Sequence, residues 1–281
     1  MVSPRIDTHT HFYDPTRPEG IPWPSADNEL LYRTVLPEHH RAIGEPCGIT
    51  GTVIVEASAW VQDNRWILDL AADEPWIVGF MGHIDPGDEF SQHLVEYADD
   101  VLFLGIRLGG GNFDGQTAAV DAAVGDLAAR DLTLDVLIHG QQQAEGVARV
   151  AAMHPQLRIV VNHVAHVAID GQAPDPAWVE SMGLLAAHPQ VYMKVSGYVE
   201  AATQQPAPED PQHYQPTFLA LLDSFGEDRL IFGSNWPVCE RSGTMKTIVN
   251  AVEVFCQDYP EIEEKIWWRN GQAAYRFSLE R

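Results

Sequence analysis

Basic residues are scarce in this sequence. Its 281 residues include 17 lysines and arginines against 40 aspartates and glutamates, which gives a formal net charge of −23 with histidine counted as neutral. Nucleic acids and anionic membrane surfaces attract proteins largely through lysine and arginine. The composition therefore predicts neither a nucleic-acid partner nor a membrane partner.

Cysteines and long apolar runs are also scarce. The three cysteines, Cys47, Cys239 and Cys256, form no Cys-x-x-Cys pair, which excludes a disulfide scaffold and predicts reduced thiols in a cytoplasmic protein. No apolar run approaches the roughly 18 residues of a membrane span, and the first residues lack the apolar segment of a secretory signal. Hydrophobic residues still make up 45% of the chain, enough for a sizeable core.

Eight short apolar or β-branched runs recur along the chain, and several are continuously apolar, as in strands buried on both faces of a parallel sheet. These runs are Arg5–His11, Thr52–Glu56, Ile77–Ile84, Leu102–Leu108, Leu132–His139, Arg158–His163, Val191–Ser196 and Arg229–Ser234. Segments with helical spacing of apolar residues lie between them, at Gln62–Asp73, Ala118–Arg130, Gln143–Met153, Pro176–Ala187, Pro216–Phe225 and Thr244–Gln257. The alternation predicts an α/β fold, a distorted TIM (β/α)8 barrel.

A doubly wound sheet is the competing fold. It would normally carry a glycine-rich phosphate loop after an early strand, whereas the first run here ends in His9-Thr-His11. No linker divides the chain, so we expect residues 1–281 to form a single barrel domain. Loops after the strands form the active-site mouth of such a barrel, and residues 14–50 and 198–216 are expected to be long loops there. Ordinary surface loops are the alternative.

Polar side chains stand at the ends of four predicted strands. His9 and His11 end the first strand on the same side, because strand side chains alternate. His139 ends the fifth strand, His163 the sixth and Asn235 follows the eighth. The carboxyl ends of barrel strands carry the catalytic groups of this fold, so a site is predicted there. Separate, hydrogen-bonded structural histidines are the alternative.

Several ordered motifs resemble one known family. They are Asp7-Thr-His9-Thr-His11-Phe12, Gly105-Ile-Arg107, Asn162-His163, Lys194-Val-Ser196-Gly197, Phe232-Gly-Ser234-Asn235-Trp236-Pro237-Val238 and Asn270-Gly-Gln-Ala-Ala-Tyr275. Together they are similar to the lactonase branch of the amidohydrolase superfamily and span nearly the whole chain. The resemblance implies a hydrolase that opens the cyclic ester of a sugar acid or a related carboxylic acid.

The resemblance implies roles for His9, His11, His163, Arg107, Lys194 and Ser196. The position of the other candidates at strand ends or loop mouths adds them to the predicted site. The expected catalytic residues are His163, Asn235, His9, His11 and Glu56. The expected substrate-binding residues are Arg107, His139, Lys194, Ser196 and Trp236. Arg107 suits a carboxylate or a polar lactone oxygen through its planar fork, and an ion pair with Glu56 or Asp85 is its structural alternative. Arg107, Lys194 and protonated histidines are expected to make the pocket locally positive within an acidic protein.

Asn235 departs from the family pattern, in which an aspartate serves as metal ligand and general base. An amide cannot accept a proton from water near neutral pH. Either no metal is required, or one divalent ion, zinc being best suited, is held by His9, His11 and His139 with an open position. The general base must then be another group, and His163 and Glu56 are the candidates.

Two other functions remain open. A metal-dependent decarboxylase or another amidohydrolase-type hydrolase would share the histidine pair. Loss of the aspartate would also suit a catalytically silent barrel that binds a sugar acid. In each case the partner is a small molecule, a lactone or a sugar acid. Trp267 and Trp268 fit either the core or a subunit contact, which leaves a homo-oligomer open.

Overall fold

Parallel strands form the centre of the protein in the computed structural model, which describes residues 3–115 and 117–279. Each strand pairs with the next in chain order in one eight-stranded sheet. The strands are β1 (Ile6–Thr10), β2 (Gly51–Val55), β3 (Ile77–Gly82), β4 (Phe103–Gly109), β5 (Thr133–Leu137), β6 (Ile159–Val161), β7 (Val191–Val195) and β8 (Leu230–Phe232). The predicted TIM barrel is confirmed, and each predicted strand lies within two residues of an observed one at both ends.

Helices follow the strands around the outside. They are α1 (Pro37–Gly44), α2 (Asp63–Ala71), α3 (Phe90–Tyr97), α4 (Ala118–Ala129), α5 (Gly140–Met153), α6 (Pro176–Ala186), α7 (Gln215–Phe225), α8 (Met245–Asp258) and α9 (Asn270–Tyr275). The expected helices did not include α1 and α3, since each has only eight residues and shows a short apolar period. The expectation that residues 14–50 form only a long loop is wrong, because α1 lies within them. The single-domain prediction for 1–281 stays a prediction, and its outermost residues and residue 116 lie outside the described ranges.

The barrel is distorted where β1 meets β8. The Thr8 hydroxyl donates to the Phe232 carbonyl at 2.6 Å. Beyond β8, the backbone N–H of Asn235 donates to the His9 carbonyl, and the backbone N–H of His11 donates to the Trp236 carbonyl, both at 2.9 Å. These backbone bonds bring Asn235 beside the histidines of β1.

The amino-terminal end of the barrel is closed by packing. Ile6, Val53, Leu104 and Ile231 form a cluster with Tyr275 there. Trp267 is 2% exposed and packs on Phe232 at 4.5 Å between ring centroids, so this tryptophan belongs to the core. The open end is therefore the carboxyl end of the strands, where the predicted site lies. No helix among the described residues is both long and apolar enough to cross a membrane.

Candidate active site

Three buried imidazoles meet at the carboxyl end of the strands. His9 lies in β1 and His11 is the first residue after this strand. Their ring centroids are 5.0 Å apart. His163 follows β6, and its ring centroid lies 4.3 Å from that of His9. The structure therefore brings together the three histidines that the sequence analysis placed in the catalytic group.

Asp7 fixes the backbone beneath this cluster. One of its carboxylate oxygens accepts the His9 amide at 3.1 Å and the Ser234 amide at 2.8 Å. The other lies 3.0 Å from Nε2 of His40, whose Nδ1 accepts the indole N–H of Trp76 at 2.9 Å. His40 therefore carries its hydrogen on Nε2 and donates it to Asp7. This buried chain fixes the join between β1 and β8.

Lys194 lies beneath His9 and is fully buried, and its expected contact with substrate stays a prediction. Its ammonium donates to the Asp135 carboxylate at 2.9 Å, to the Thr8 carbonyl at 3.0 Å and to Nδ1 of His9 at 3.3 Å. Burial lowers the pKa of Lys194, and the Asp135 carboxylate opposes that shift. Because Nδ1 of His9 accepts, the neutral ring carries its hydrogen on Nε2. That Nε2 is buried and has no hydrogen-bond partner among the described residues.

Ser196 and Gly197 hold His163 in place. The Ser196 hydroxyl is 3.0 Å from Nδ1 of His163 and accepts its backbone amide at 3.3 Å. Ser196 is fully buried and positions His163, and its expected contact with substrate stays a prediction. Gly197 has a φ of +65°, and a Cβ there would lie 2.8 Å from Cβ of His163. Only glycine satisfies both the backbone and the space at this position.

Asn235 lies between His11 and an acidic residue that the sequence analysis did not select. Its amide nitrogen donates to Oε1 of Glu200 at 2.6 Å, and its Oδ1 lies 3.3 Å from Nε2 of His11. Nδ1 of His11 donates to the Val55 carbonyl at 2.9 Å. Asn235 has a left-handed φ of 61°, which places its side chain between the two partners. Glu200 lies in the predicted mouth loop 198–216, and an acid in that loop was the available sequence signal.

Arg107 and Glu56 neutralise each other. Nε and one terminal nitrogen of Arg107 lie 2.8 and 2.7 Å from the same Glu56 oxygen, and the terminal nitrogen also donates to the Glu56 carbonyl at 2.9 Å. The ion pair considered as the alternative for Arg107 is therefore present. It occupies the Arg107 fork that was expected to bind substrate. It also engages the Glu56 carboxylate that was a candidate base.

His139 and Trp236 lie apart from the histidine cluster. His139 is exposed and stacks on His166, with ring centroids 3.9 Å apart. Trp236 is 2% exposed, packs against Phe12 and His40, and donates its indole N–H to Glu240 at 2.7 Å. The ring is part of the core, and the expected contact of Trp236 with substrate stays a prediction.

The three-nitrogen metal site predicted from His9, His11 and His139 is not assembled. Within residues 3–115 and 117–279, no group of three or more histidine, cysteine, aspartate or glutamate side chains is placed to hold a metal ion. His11 has the suitable tautomer, because its Nδ1–H points to a carbonyl. His9 does not, because Lys194 occupies Nδ1 and leaves a hydrogen on Nε2. The residues present therefore do not fit the metal.

Burial keeps the histidines neutral. It lowers the pKa of His9 and of His163 well below the usual value, and the next largest contributions come from His163 for His9 and from His166 for His163. Burial and then Arg107 lower the pKa of His11 to about 3, and burial lowers that of His166 to about 4. The expectation that protonated histidines make the pocket positive is wrong. The neutral His9 ring instead offers its unpartnered Nε2–H as a donor at neutral pH.

A cleft of about 630 Å³ opens beside the cluster. Its lining includes His163, His166, Glu200, Gln205, Asn235 and Arg241. Glu200 and Gln205 come from the loop after β7, which was expected at the mouth. From the 14–50 segment, Trp23 packs against His11 with ring centroids 5.9 Å apart. The arrangement can hold a small polar molecule between neutral imidazoles and one carboxyl group.

Comparison with known proteins identifies the family of the chain. The amidohydrolase family model matches residues 6–277, so the chain belongs to the amidohydrolase family. The family resemblance of the sequence motifs is thereby confirmed.

Two curated relatives carry the name L-fucono-1,5-lactonase. The one from Burkholderia ambifaria is 30% identical over 85% of this chain and 82% of its own length. The one from Burkholderia multivorans is 29% identical over 99% of this chain and 97% of its own length. A crystal structure of an amidohydrolase from Burkholderia multivorans superposes with a TM-score of 0.87 at 26% identity, covering 98% of this chain and 100% of that one. A second crystal form of that protein contains bound zinc.

Proposed function

We propose that this chain is a lactonase-type hydrolase that opens the cyclic ester of a sugar-acid or carboxylic-acid lactone by attack of water. The observation that carries the proposal is the convergence of His163 and Asn235 on the cleft, with the buried His9 ring packed 4.3 Å from that of His163. The curated lactonase relatives support the same reaction class. The substrate is a small molecule, while a cytoplasmic location and a homo-oligomer stay predictions.

The lactone carbonyl is polarised by neutral imidazole. The unpartnered Nε2–H of His9 is a preorganised donor, and the His163 ring lies beside it. Such donors stabilise the negative charge that develops on the carbonyl oxygen when water adds to the carbon. Asn235 orients that water through its side-chain amide. The tetrahedral intermediate then expels the ring oxygen, which takes up a proton and leaves an open hydroxy acid.

A lactone panel tests the proposal. Purified protein is offered aldonolactones and dicarboxylate lactones, and acid release is followed in a weak buffer. We expect hydrolysis of at least one member, and a loss of at least about 100-fold in His163→Ala, because oxyanion donors carry that much. His188→Ala is the matched control, since this histidine precedes β7 at the opposite end of the barrel. Full activity in His163→Ala would contradict the mechanism.

The same panel is run after dialysis against a chelator. Because His9 presents a hydrogen rather than a lone pair on Nε2, we expect the rate to be unchanged. A loss that added zinc restores would contradict this tautomer. Thermal stabilisation by a sugar acid without product from any lactone would instead indicate a binding barrel.

A further inference from the structure

Asn235, Glu56 and His163 provide no effective base that can take a proton from water. Asn235 is an amide, and the Glu56 carboxylate is held by Arg107 at 2.7 Å. The buried His163 is a weak base, because its pKa lies well below the usual value. Hydrolysis of an ester by water nevertheless requires that a proton leave the attacking water.

Glu200 is the remaining carboxyl group at this place. It lines the cleft together with His163 and Asn235. Its Oε1 accepts a hydrogen bond from the side-chain N–H of Asn235 at 2.6 Å. Its Oε2 is buried with no hydrogen-bond partner among the described residues. One oxygen is therefore fixed in position and the other is available.

We propose that Glu200 is the general base of the reaction and supplies the carboxylate that is missing at Asn235. The inference rests on the proposed lactonase function. Glu200 lies in the loop after β7, and the hydrogen bond from the Asn235 side chain holds it at the same edge of the barrel as the end of β8.

In this step Glu200 transfers one proton from the attacking water to the ring oxygen. Oε2 of Glu200 removes a proton from water as the water oxygen bonds to the lactone carbonyl carbon, and the carbonyl electron pair moves onto its oxygen. When that pair returns, the bond between the carbon and the ring oxygen breaks. The ring oxygen takes the proton from Glu200, so the carboxylate is regenerated and one water is consumed per lactone.

The surroundings suit this task. Burial raises the pKa of Glu200 to about 7, while the hydrogen bond from Asn235 and the charge of Arg241 oppose the shift. A base with a pKa near the working pH is close to optimal. The other titratable groups that face Glu200 are Tyr198, Tyr214 and Cys239, whose pKa values are raised, and His163 and His166 across the cleft.

The pH dependence of hydrolysis separates Glu200 from the histidines. We expect kcat/KM of the unmodified protein to fall below about pH 7 as Glu200 gains a proton, whereas His11 and His166 titrate near 3 and 4. Glu200→Gln keeps the shape and removes the base, so kcat should fall by about 100-fold or more while KM changes little. The fall in kcat/KM below about pH 7 should be absent in this variant.

Chemical rescue provides a readout that a purely structural role would not move. Added formate should restore part of the activity of Glu200→Ala, where the cavity admits a small carboxylate, and should not restore Glu200→Gln. Glu209→Gln is the matched control, because it lies exposed in the same loop. Melting temperatures of all variants establish that they are folded.

The outcomes are distinct. If the unmodified protein hydrolyses a lactone and Glu200→Gln keeps its rate and the fall in kcat/KM below about pH 7, the assignment of Glu200 is overturned and the lactonase function stands. If the unmodified protein hydrolyses no lactone in the panel, both are overturned. A large loss in Glu200→Gln with rescue of Glu200→Ala by formate supports both.

Discussion

Lys194 shows how one buried residue organises a site through its hydrogen bonds. Its three ammonium hydrogens have three acceptors, the Asp135 carboxylate, the Thr8 carbonyl and Nδ1 of His9. Asp135 also accepts the Tyr275 hydroxyl at 2.8 Å. A buried charge of this kind is tolerated because every polar atom is paired. Its functional effect is the choice of the His9 tautomer, and thereby of a donor at Nε2.

Replacement of this lysine should destabilise the fold. Lys194→Met leaves the Asp135 carboxylate buried without its counter-ion, which costs about 3–5 kcal/mol of the free energy of unfolding. Urea unfolding followed by fluorescence measures the change. The double variant Lys194→Met with Asp135→Asn should recover part of the loss, because it removes the unpaired charge.

Lys265→Met is the surface control for that experiment, since Lys265 pairs with Asp228 and Glu227 in solvent. Its stability should stay close to that of the unmodified protein, because exposed ion pairs contribute little. Equal losses in Lys194→Met and Lys265→Met would contradict the role assigned to the buried pair.

At the scale of elements, the strands are shorter than the motifs they carry. β6 ends at Val161, and the following turn from His163 to His166 has positive φ throughout, between 44° and 56°. β8 ends at Phe232, and Asn235 also has a positive φ. Such backbone is costly for residues other than glycine and tends to be kept at functional sites. The two irregular strand ends turn His163 and Asn235 toward the cleft.

The fit between the turn after β7 and the turn after β6 can be tested through Gly197. Gly197→Ala adds a methyl group 2.8 Å from Cβ of His163 at a φ of +65°, so we expect His163 to shift and kcat to fall by about 10-fold or more. Lactone hydrolysis and the melting temperature are measured together.

Gly183→Ala in α6 is the matched control, because a Cβ there meets nothing within 4 Å. It should leave kcat unchanged and raise stability by about 0.5–1 kcal/mol, since alanine is the better helix former. Unchanged hydrolysis in Gly197→Ala would show that His163 tolerates the added methyl group.

At the scale of the whole molecule, the buried histidines link stability to pH. The folded protein keeps His9, His11 and His163 neutral, with pKa values below the usual 6.5, whereas the unfolded chain protonates them below pH 6.5. The unfolded state then binds more protons, so stability is full above pH 6.5 and falls as the pH drops. Glu200, with its pKa raised to about 7, acts in the opposite direction between about pH 7 and 4.5. Three histidines outweigh this single carboxyl group.

We therefore expect the free energy of unfolding to fall by at least about 1 kcal/mol per pH unit between pH 6 and 5. Urea unfolding at pH 7.5, 6 and 5 measures the slope. His11→Gln should reduce it, and the exposed His139→Gln should leave it unchanged. Stability that stays constant or rises over this range would contradict neutral burial of the cluster.

The sequence by itself determined the barrel fold and the location of the site at the carboxyl ends of the strands. Continuous apolar runs alternating with helical periods are enough for the (β/α)8 fold, because each pattern reports only local burial. The strand ends of that fold then identify His9, His11, His163 and Asn235. Short helices such as α1 were not predicted, because eight residues give only a weak helical periodicity of apolar residues.

Only the tertiary structure decided what each polar residue contacts. Lys194, Ser196 and Trp236 stand in family motifs, yet all three are buried and hold other groups in place. Arg107 and Glu56 are 51 residues apart and form an ion pair because β4 and β2 share one barrel. Glu200 reaches Asn235 across 35 residues for the same reason. A sequence shows which groups reach the mouth, whereas charge pairing, tautomer and proton affinity depend on neighbours that only folding brings together.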